Sequence, residues 1–166
     1  MKHLTTPLVL AALLTLPAMA HAQSASIQAS ANVVAQLTVT QGNNLDFGDV
    51  LPGFGAQVDI SENPASAGTF TLSGASGYEV NLSFDLPSVL TNGTNQLTIS
   101  FGADDAGYGP NGSTVTQTFD PAVGADTNLG GTEMTVFIGG SVNATADQAP
   151  GEYTGTIQLN VEYTGN

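Results

Sequence analysis

The side chains able to do chemistry in this chain are almost all carboxylates. All fourteen Asp and Glu lie beyond residue 45, whereas the only Lys is Lys2, the two His are His3 and His21, and Arg and Cys are absent. Paired carboxylates can serve as acid and base in glycoside hydrolysis, and Asp46 with Asp49 or Asp104 with Asp105 are the candidate pairs. Adjacent residues of a strand point to opposite faces, however, and Asp104-Asp105 stands in a Gly-rich stretch that reads as a solvated turn. Without His, Lys or Cys, a Ser or Thr nucleophile lacks its usual base, no phosphate-loop Lys exists, and no zinc site with His or Cys ligands can form. The expectation is a protein that is not an enzyme. Oxygen ligands suit calcium, and Asp46, Asp49, Asp104, Asp105, Asp120 and Asp126 are the residues that would supply it. None of them falls in the D-x-[DN]-x-[DN]-G calcium loop, so solvated turn carboxylates are the alternative reading.

Charge restricts the partners further. The full chain carries a net charge of −13, and beyond His21 it holds no cationic side chain. DNA, RNA and anionic lipid head groups require Lys or Arg to neutralise phosphate, so neither nucleic acid nor a membrane surface is expected as an electrostatic partner. The carboxylates lack internal cations to pair with, and they should face solvent or external cations, with added salt relieving their mutual repulsion.

The basic residues at the start belong to a targeting pattern. Lys2 and His3 precede an apolar run from Leu8 to Leu16, Pro17 breaks it, and two A-x-A sites follow, Ala18-Met19-Ala20 and Ala20-His21-Ala22. Cleavage after Ala22 is expected, giving a signal peptide over 1–22 and one domain over 23–166. The run is shorter than the roughly 20 apolar residues of a spanning helix. Export out of the cytoplasm follows, into the medium or, as the alternative, into the periplasm. A Cys-free exported domain of this size must be held by apolar packing and sheet hydrogen bonds.

The elements that must position any site read as strands. Tyr153, Gly155, Ile157, Leu159, Val161 and Tyr163 alternate with polar residues, a period of two. Shorter alternations occur at Phe70-Leu72, Tyr78-Phe84, Leu97-Phe101, Val115-Phe119 and Met134-Ile138, and no segment shows a capped helical repeat. Asn92-Gly93 and Asn111-Gly112 predict tight hairpin turns, and Pro150-Gly151 predicts a turn ahead of the last strand. Asp120 to Gly131 reads as an exposed loop. Ile27, Ala29, Ala31 and Val33 alternate on one parity, and Leu37 and Val39 on the other, which predicts a bulge or a switch between sheets near Val34. Many short strands with turn signals between them define a β-sandwich.

The order of segments carries a resemblance. Asn32-Val33-Val34-Ala35-Gln36-Leu37-Thr38-Val39-Thr40, then Leu45-Asp46-Phe47-Gly48 with Pro52-Gly53, then Ala149-Pro150-Gly151-Glu152-Tyr153-Thr154-Gly155-Thr156, resembles a domain-of-unknown-function family of Gram-negative secreted proteins. That family is similar to the Mat/Ecp fimbrillins and the spore coat protein U group of pilin-like domains. The resemblance implies an immunoglobulin-like sandwich at the cell surface, a fimbrial subunit or related adhesion module, and no catalytic residues. Tyr163 resembles the Tyr near the end of many pilins. In chaperone-assembled pili an N-terminal extension fills an apolar groove of the next subunit by strand addition. Ile27, Ala29, Ala31 and Val33 are the candidate donor strand, with self-assembly and a pilus chaperone and usher as the implied partners. An ordinary first strand over the same residues is the competing reading. A monomeric surface or periplasmic binding module, using calcium to hold a carbohydrate, is the other functional alternative.

Overall fold

The computed structural model describes residues 23–112 and 114–165, so the expected signal peptide lies outside the described residues. The chain divides into two units between Asn32 and Val33. In the first, residues 23–32 carry no regular secondary structure. The second is an antiparallel β-sandwich with no helix among its described residues.

Its strands are, in chain order, β1 (Thr38–Gln41), β2 (Gly55–Val58), β3 (Gly68–Ser73), β4 (Glu79–Asp85), β5 (Val89–Asn92), β6 (Asn95–Ser100), β7 (Ala106–Pro110), β8 (Gln117–Phe119), β9 (Ala125–Asn128), β10 (Glu133–Ile138), β11 (Gly140–Asn143) and β12 (Gln158–Tyr163). They form a five-stranded sheet, β1-β3-β10-β7-β8, a four-stranded sheet, β2-β11-β6-β5, and a three-stranded sheet, β12-β4-β9. The two smaller sheets adjoin. β12 pairs with β4, and Thr154, four residues before β12, bridges Thr91 of β5, so the C-terminal segment runs along both sheets.

Period-two patterning places the core between the layers. Leu72 of β3, Val80 and Leu82 of β4, Met134 and Val136 of β10 and Leu159 of β12 form one buried cluster, into which Phe70, Phe84, Tyr108 and Phe119 pack. At the other end, Leu97 and Ile99 of β6 and Val142 of β11 form a second. β10 is central in its sheet, and its outer face is covered as well, where Phe137 packs with Val58, Ile60 and Ala67. That is why Met134 to Ile138 are all buried, although the sequence signals only the alternate positions.

Three sequence expectations are corrected. The break in parity near Val34 is not a switch between sheets, because regular strand structure begins only at Thr38. The switch occurs at Gly139, the one residue between β10 of the five-stranded sheet and β11 of the four-stranded sheet. Asp120 to Gly131 is not all loop: β9 pairs with β4 there, a short polar strand at a sheet edge with little apolar signal to betray it. In the β5–β6 hairpin Asn92 pairs with Asn95, so the turn residues are Gly93 and Thr94, and the positive φ falls on Gly93 alone, as a type II′ turn requires.

Gly139 shows why the sheet switch needs glycine. A Cβ there would collide with the Val58 carbonyl oxygen and crowd Ile60, and the carbonyl belongs to the backbone of a neighbouring strand. Gly139→Ala is therefore expected to lower stability by about 1–3 kcal/mol, read as a reduced midpoint in urea unfolding. An unchanged midpoint would show that the two strands separate freely at this point.

Candidate functional site: an open cleft at one sandwich edge

The sandwich is open along one side. β1 is an edge strand of its sheet, and across from it runs the C-terminal segment that bridges β5 only at Thr154. Between the chain that follows β1 and residues 149–157 lies a cleft of about 1080 Å³. Its floor is core: Leu97, Ile99, Ile138 and Val142 line it and are buried. Its walls, Leu45, Phe47, Val50, Leu90, Tyr153 and Ile157, also line it and are half-buried.

Local sequence builds each wall. After β1 the chain stays beside β3, with Gly42 N–H donating to Thr69 C=O at 2.8 Å, Thr69 N–H to Asn43 C=O at 2.9 Å and Asp46 N–H to Ser66 C=O at 2.9 Å. It then leaves the sheet at an Asx turn in which Asp46 Oδ1 accepts Gly48 N–H at 2.8 Å, a turn Asp favours. Just past Asp46, Phe47 packs half-buried against both the Phe137 cluster and the Leu97 cluster. On the facing wall, Thr154 N–H donates to Thr91 C=O at 3.0 Å and Thr91 N–H to Thr154 C=O at 2.8 Å. Strand groups alternate in direction, so Tyr153 and Gly155 turn theirs away from β5, towards the unpaired side. Gln148 Nε2 donates to the Tyr153 hydroxyl at 2.7 Å, which donates to Ala149 C=O at 2.8 Å, fixing the ring in the wall.

Tyr163 closes the far end of this edge. Its hydroxyl accepts Ala75 N–H at 2.7 Å and donates to Ala35 C=O at 3.1 Å, and its ring packs edge-on against Tyr78. The terminal Tyr thus pins the chain just before β1.

The carboxylates singled out for chemistry are spread over the molecule. Asp46 and Asp49 line the cleft. Asp105 Oδ2 accepts Gly102 N–H at 2.6 Å, Asp104 Oδ1 accepts the Thr118 hydroxyl at 2.9 Å and Asp120 Oδ1 accepts Ala122 N–H at 2.9 Å. Asp126, on β9, accepts from Asn81 Nδ2 at 2.7 Å. No three His, Cys, Asp or Glu among the described residues gather as a metal ion would need. We expect calcium to raise the melting temperature no more than sodium chloride at equal ionic strength, since screening of like charge is then the only effect. A calcium-specific rise reversed by chelator would reveal a site built from these carboxylates.

Of the candidate donor strand, Ile27, Ala29 and Ala31 lie in the first unit with exposed side chains, and Val33 opens the second unit, also exposed. The cleft itself is the feature missing from the sequence reading. Its signal was faint: the chain from β1 to Leu45 and the segment Tyr153 to Ile157 carry no charge to protect their edges.

Fold and cleft together define an all-β antiparallel sandwich with one open, apolar edge. The family model of a domain of unknown function, DUF4402, matches residues 37–163, and the chain belongs to that family. The match begins one residue before β1 and ends on the last residue of β12, so residues 23–36 precede the family domain. No curated protein matches the chain.

Proposed function

We propose that this chain is a non-enzymatic, exported structural protein of the cell surface, a pilin-like subunit whose edge cleft accepts a β-strand from another copy. The open cleft carries the reading. A strand laid along the edge would offer hydrogen-bond partners to backbone groups turned outward at Tyr153 and Gly155, and would cover side chains that otherwise remain half-exposed. Strand addition of this kind draws affinity from the main chain and specificity from alternate side chains.

Residues 23–36 suit the donor role. They precede the family domain, carry no charge and alternate at Ile27, Ala29, Ala31 and Val33. Because β1 begins at Thr38, more chain is available ahead of the first strand than a strand starting at Asn32 would leave. Burying Ile27 and Val33 is worth about 1.5–3 kcal/mol each, and the small alanines between them suit a shallow stretch of cleft. Donation between copies is favoured over folding back. Tyr163 holds Ala35 where a reversal of the segment would have to begin. A chaperone covering the same cleft before export, and an usher, complete the scheme.

The test is gel electrophoresis of protein sheared from producing cells, unheated and boiled in SDS. A ladder that collapses on boiling to a single monomer band is the expected result. A monomer in both lanes, or none in the sheared fraction, overturns the proposal.

A further inference from the structure

We propose that Asn92 is a self-acting modification site: its carboxamide converts to aspartate and isoaspartate in the folded protein, while the second Asn-Gly pair of the chain, Asn111-Gly112, is held against the same reaction. The contrast rests on hydrogen bonds rather than on sequence, since glycine follows both asparagines.

The reaction is intramolecular. The Gly93 amide nitrogen attacks Cγ of Asn92, the Cγ–Nδ2 bond breaks, and the nitrogen leaves as ammonia with the proton from the glycine amide. Water then opens the resulting succinimide at either carbonyl, giving Asp or isoAsp. The attacked side chain must rotate over the following amide, and that amide must be free of an acceptor.

At Asn111 both conditions are blocked. Its Nδ2 donates to Glu133 Oε2, its Oδ1 accepts the Thr135 hydroxyl at 3.4 Å, and the nucleophile itself, Gly112 N–H, donates to Thr135 Oγ1 at 3.1 Å. Thr135 is buried, so the clamp is anchored in the sheet. At Asn92 no side-chain hydrogen bond is made among the described residues, and Gly93 N–H, in the exposed turn, donates to none of them. The residue closes a two-residue hairpin on β5, whose far side is held by the single Thr91–Thr154 bridge. Local opening is easiest where few contacts hold an element, and the carboxamide needs only that opening to reach the glycine nitrogen.

The position matters for the molecule. The Asn92 amide occupies the space that a Cβ on Gly151 would take, and Gly151 and Glu152 line the cleft. Conversion places a new carboxylate beside Glu152. The isoaspartyl form also adds a carbon to the backbone of the tight turn, so age would be written into the cleft wall.

The experiment is incubation of the folded protein at mildly alkaline pH and body temperature, followed by peptide mapping for the amide-to-acid mass gain and by isoaspartate detection. Asn92 should convert at least about tenfold faster than Asn111, because three hydrogen bonds must first be released at Asn111. In urea-unfolded protein the two should convert at similar rates. Equal rates in the folded protein, or a faster Asn111, overturn the proposal. Thr135→Val, which removes the hydroxyl from the clamp, should raise the Asn111 rate in folded protein and leave Asn92 unchanged; no change at Asn111 would equally count against it.

Discussion

A chain that keeps residues 1–22 but lacks residues 23–36 should yield folded monomer and no heat-sensitive ladder. The expected loss of polymer is complete, because the segment lies ahead of β1 and ahead of the family domain. Folding should survive its removal, since the buried clusters draw on Leu72, Leu82, Leu97, Val136 and Val142, all far downstream. The truncated domain then becomes a strand-free acceptor. A synthetic peptide of residues 23–36 added at a hundred times its dissociation constant should stabilise that domain by about 2.7 kcal/mol, the linkage expected for a ligand that binds only the folded state. The same peptide with Ile27→Asp should give no shift, because a carboxylate would have to enter an apolar cleft whose rim already carries Asp46, Asp49 and Glu152. A ladder that persists after truncation would place the donor elsewhere. A peptide that leaves the melting curve unmoved would remove the cleft as acceptor, even if the ladder were lost.

Much of this sandwich was legible in the residue pattern, and the reasons differ by element. β12 shows its alternation because one face packs into the larger core cluster and the other meets water, so Leu159 is buried while Asn160 and Glu162 are exposed. β10 shows half of its role: a central strand buried on both faces gives Phe137 the same environment as Val136, and alternation cannot report that. β9 was missed because edge strands are held by backbone pairing, and Ala125, Asp126, Thr127 and Asn128 announce little of it. The two Asn-Gly turns were visible, yet the pairing of Asn92 with Asn95 moved the turn one residue onward.

The cleft was illegible for a topological reason. Leu97 and Ile99 read as positions of an ordinary alternating strand, and both are buried. Whether the layer above them is complete depends on which strand edges meet, and the answer lies in the pairing of Thr154 with Thr91 and in the departure of the chain from β3 after Asp46. Charge gave a partial hint. In a chain with fourteen carboxylates and no cationic side chain beyond His21, residues 38–45 and 153–157 beside the cleft carry none, although Asp46, Asp49 and Glu152 line it. Absence of Lys from an edge is meaningful only once the edge is known to be open.

Leu82→Ala should be among the most damaging single changes to the domain itself. Leu82 is fully buried in the larger cluster, and its strand is the centre of the three-stranded sheet, pairing with Val161 on one side and Ala125 on the other. Truncation to Ala leaves a cavity that neighbours can fill only in part, and such changes cost about 2–5 kcal/mol. The surroundings offer little relaxation: Gly124 packs so close to the Leu82 carbonyl that even a Cβ would collide there, so the strand cannot sink towards β9. At about 3 kcal/mol, a domain of this size should lose roughly 10 °C of melting temperature. No disulfide exists to limit the unfolded chain, and domains of this class retain only about 5–15 kcal/mol in all. Leu51→Ala serves as the internal comparison, since Leu51 is 67% exposed and surface changes usually stay within about 0.5 kcal/mol. Parallel thermal melts of the two variants decide the matter. A Leu82→Ala domain that melts with the wild type would mean that the larger cluster does not hold the layers together, and that the cluster of Leu97, Ile99 and Val142 beneath the cleft does.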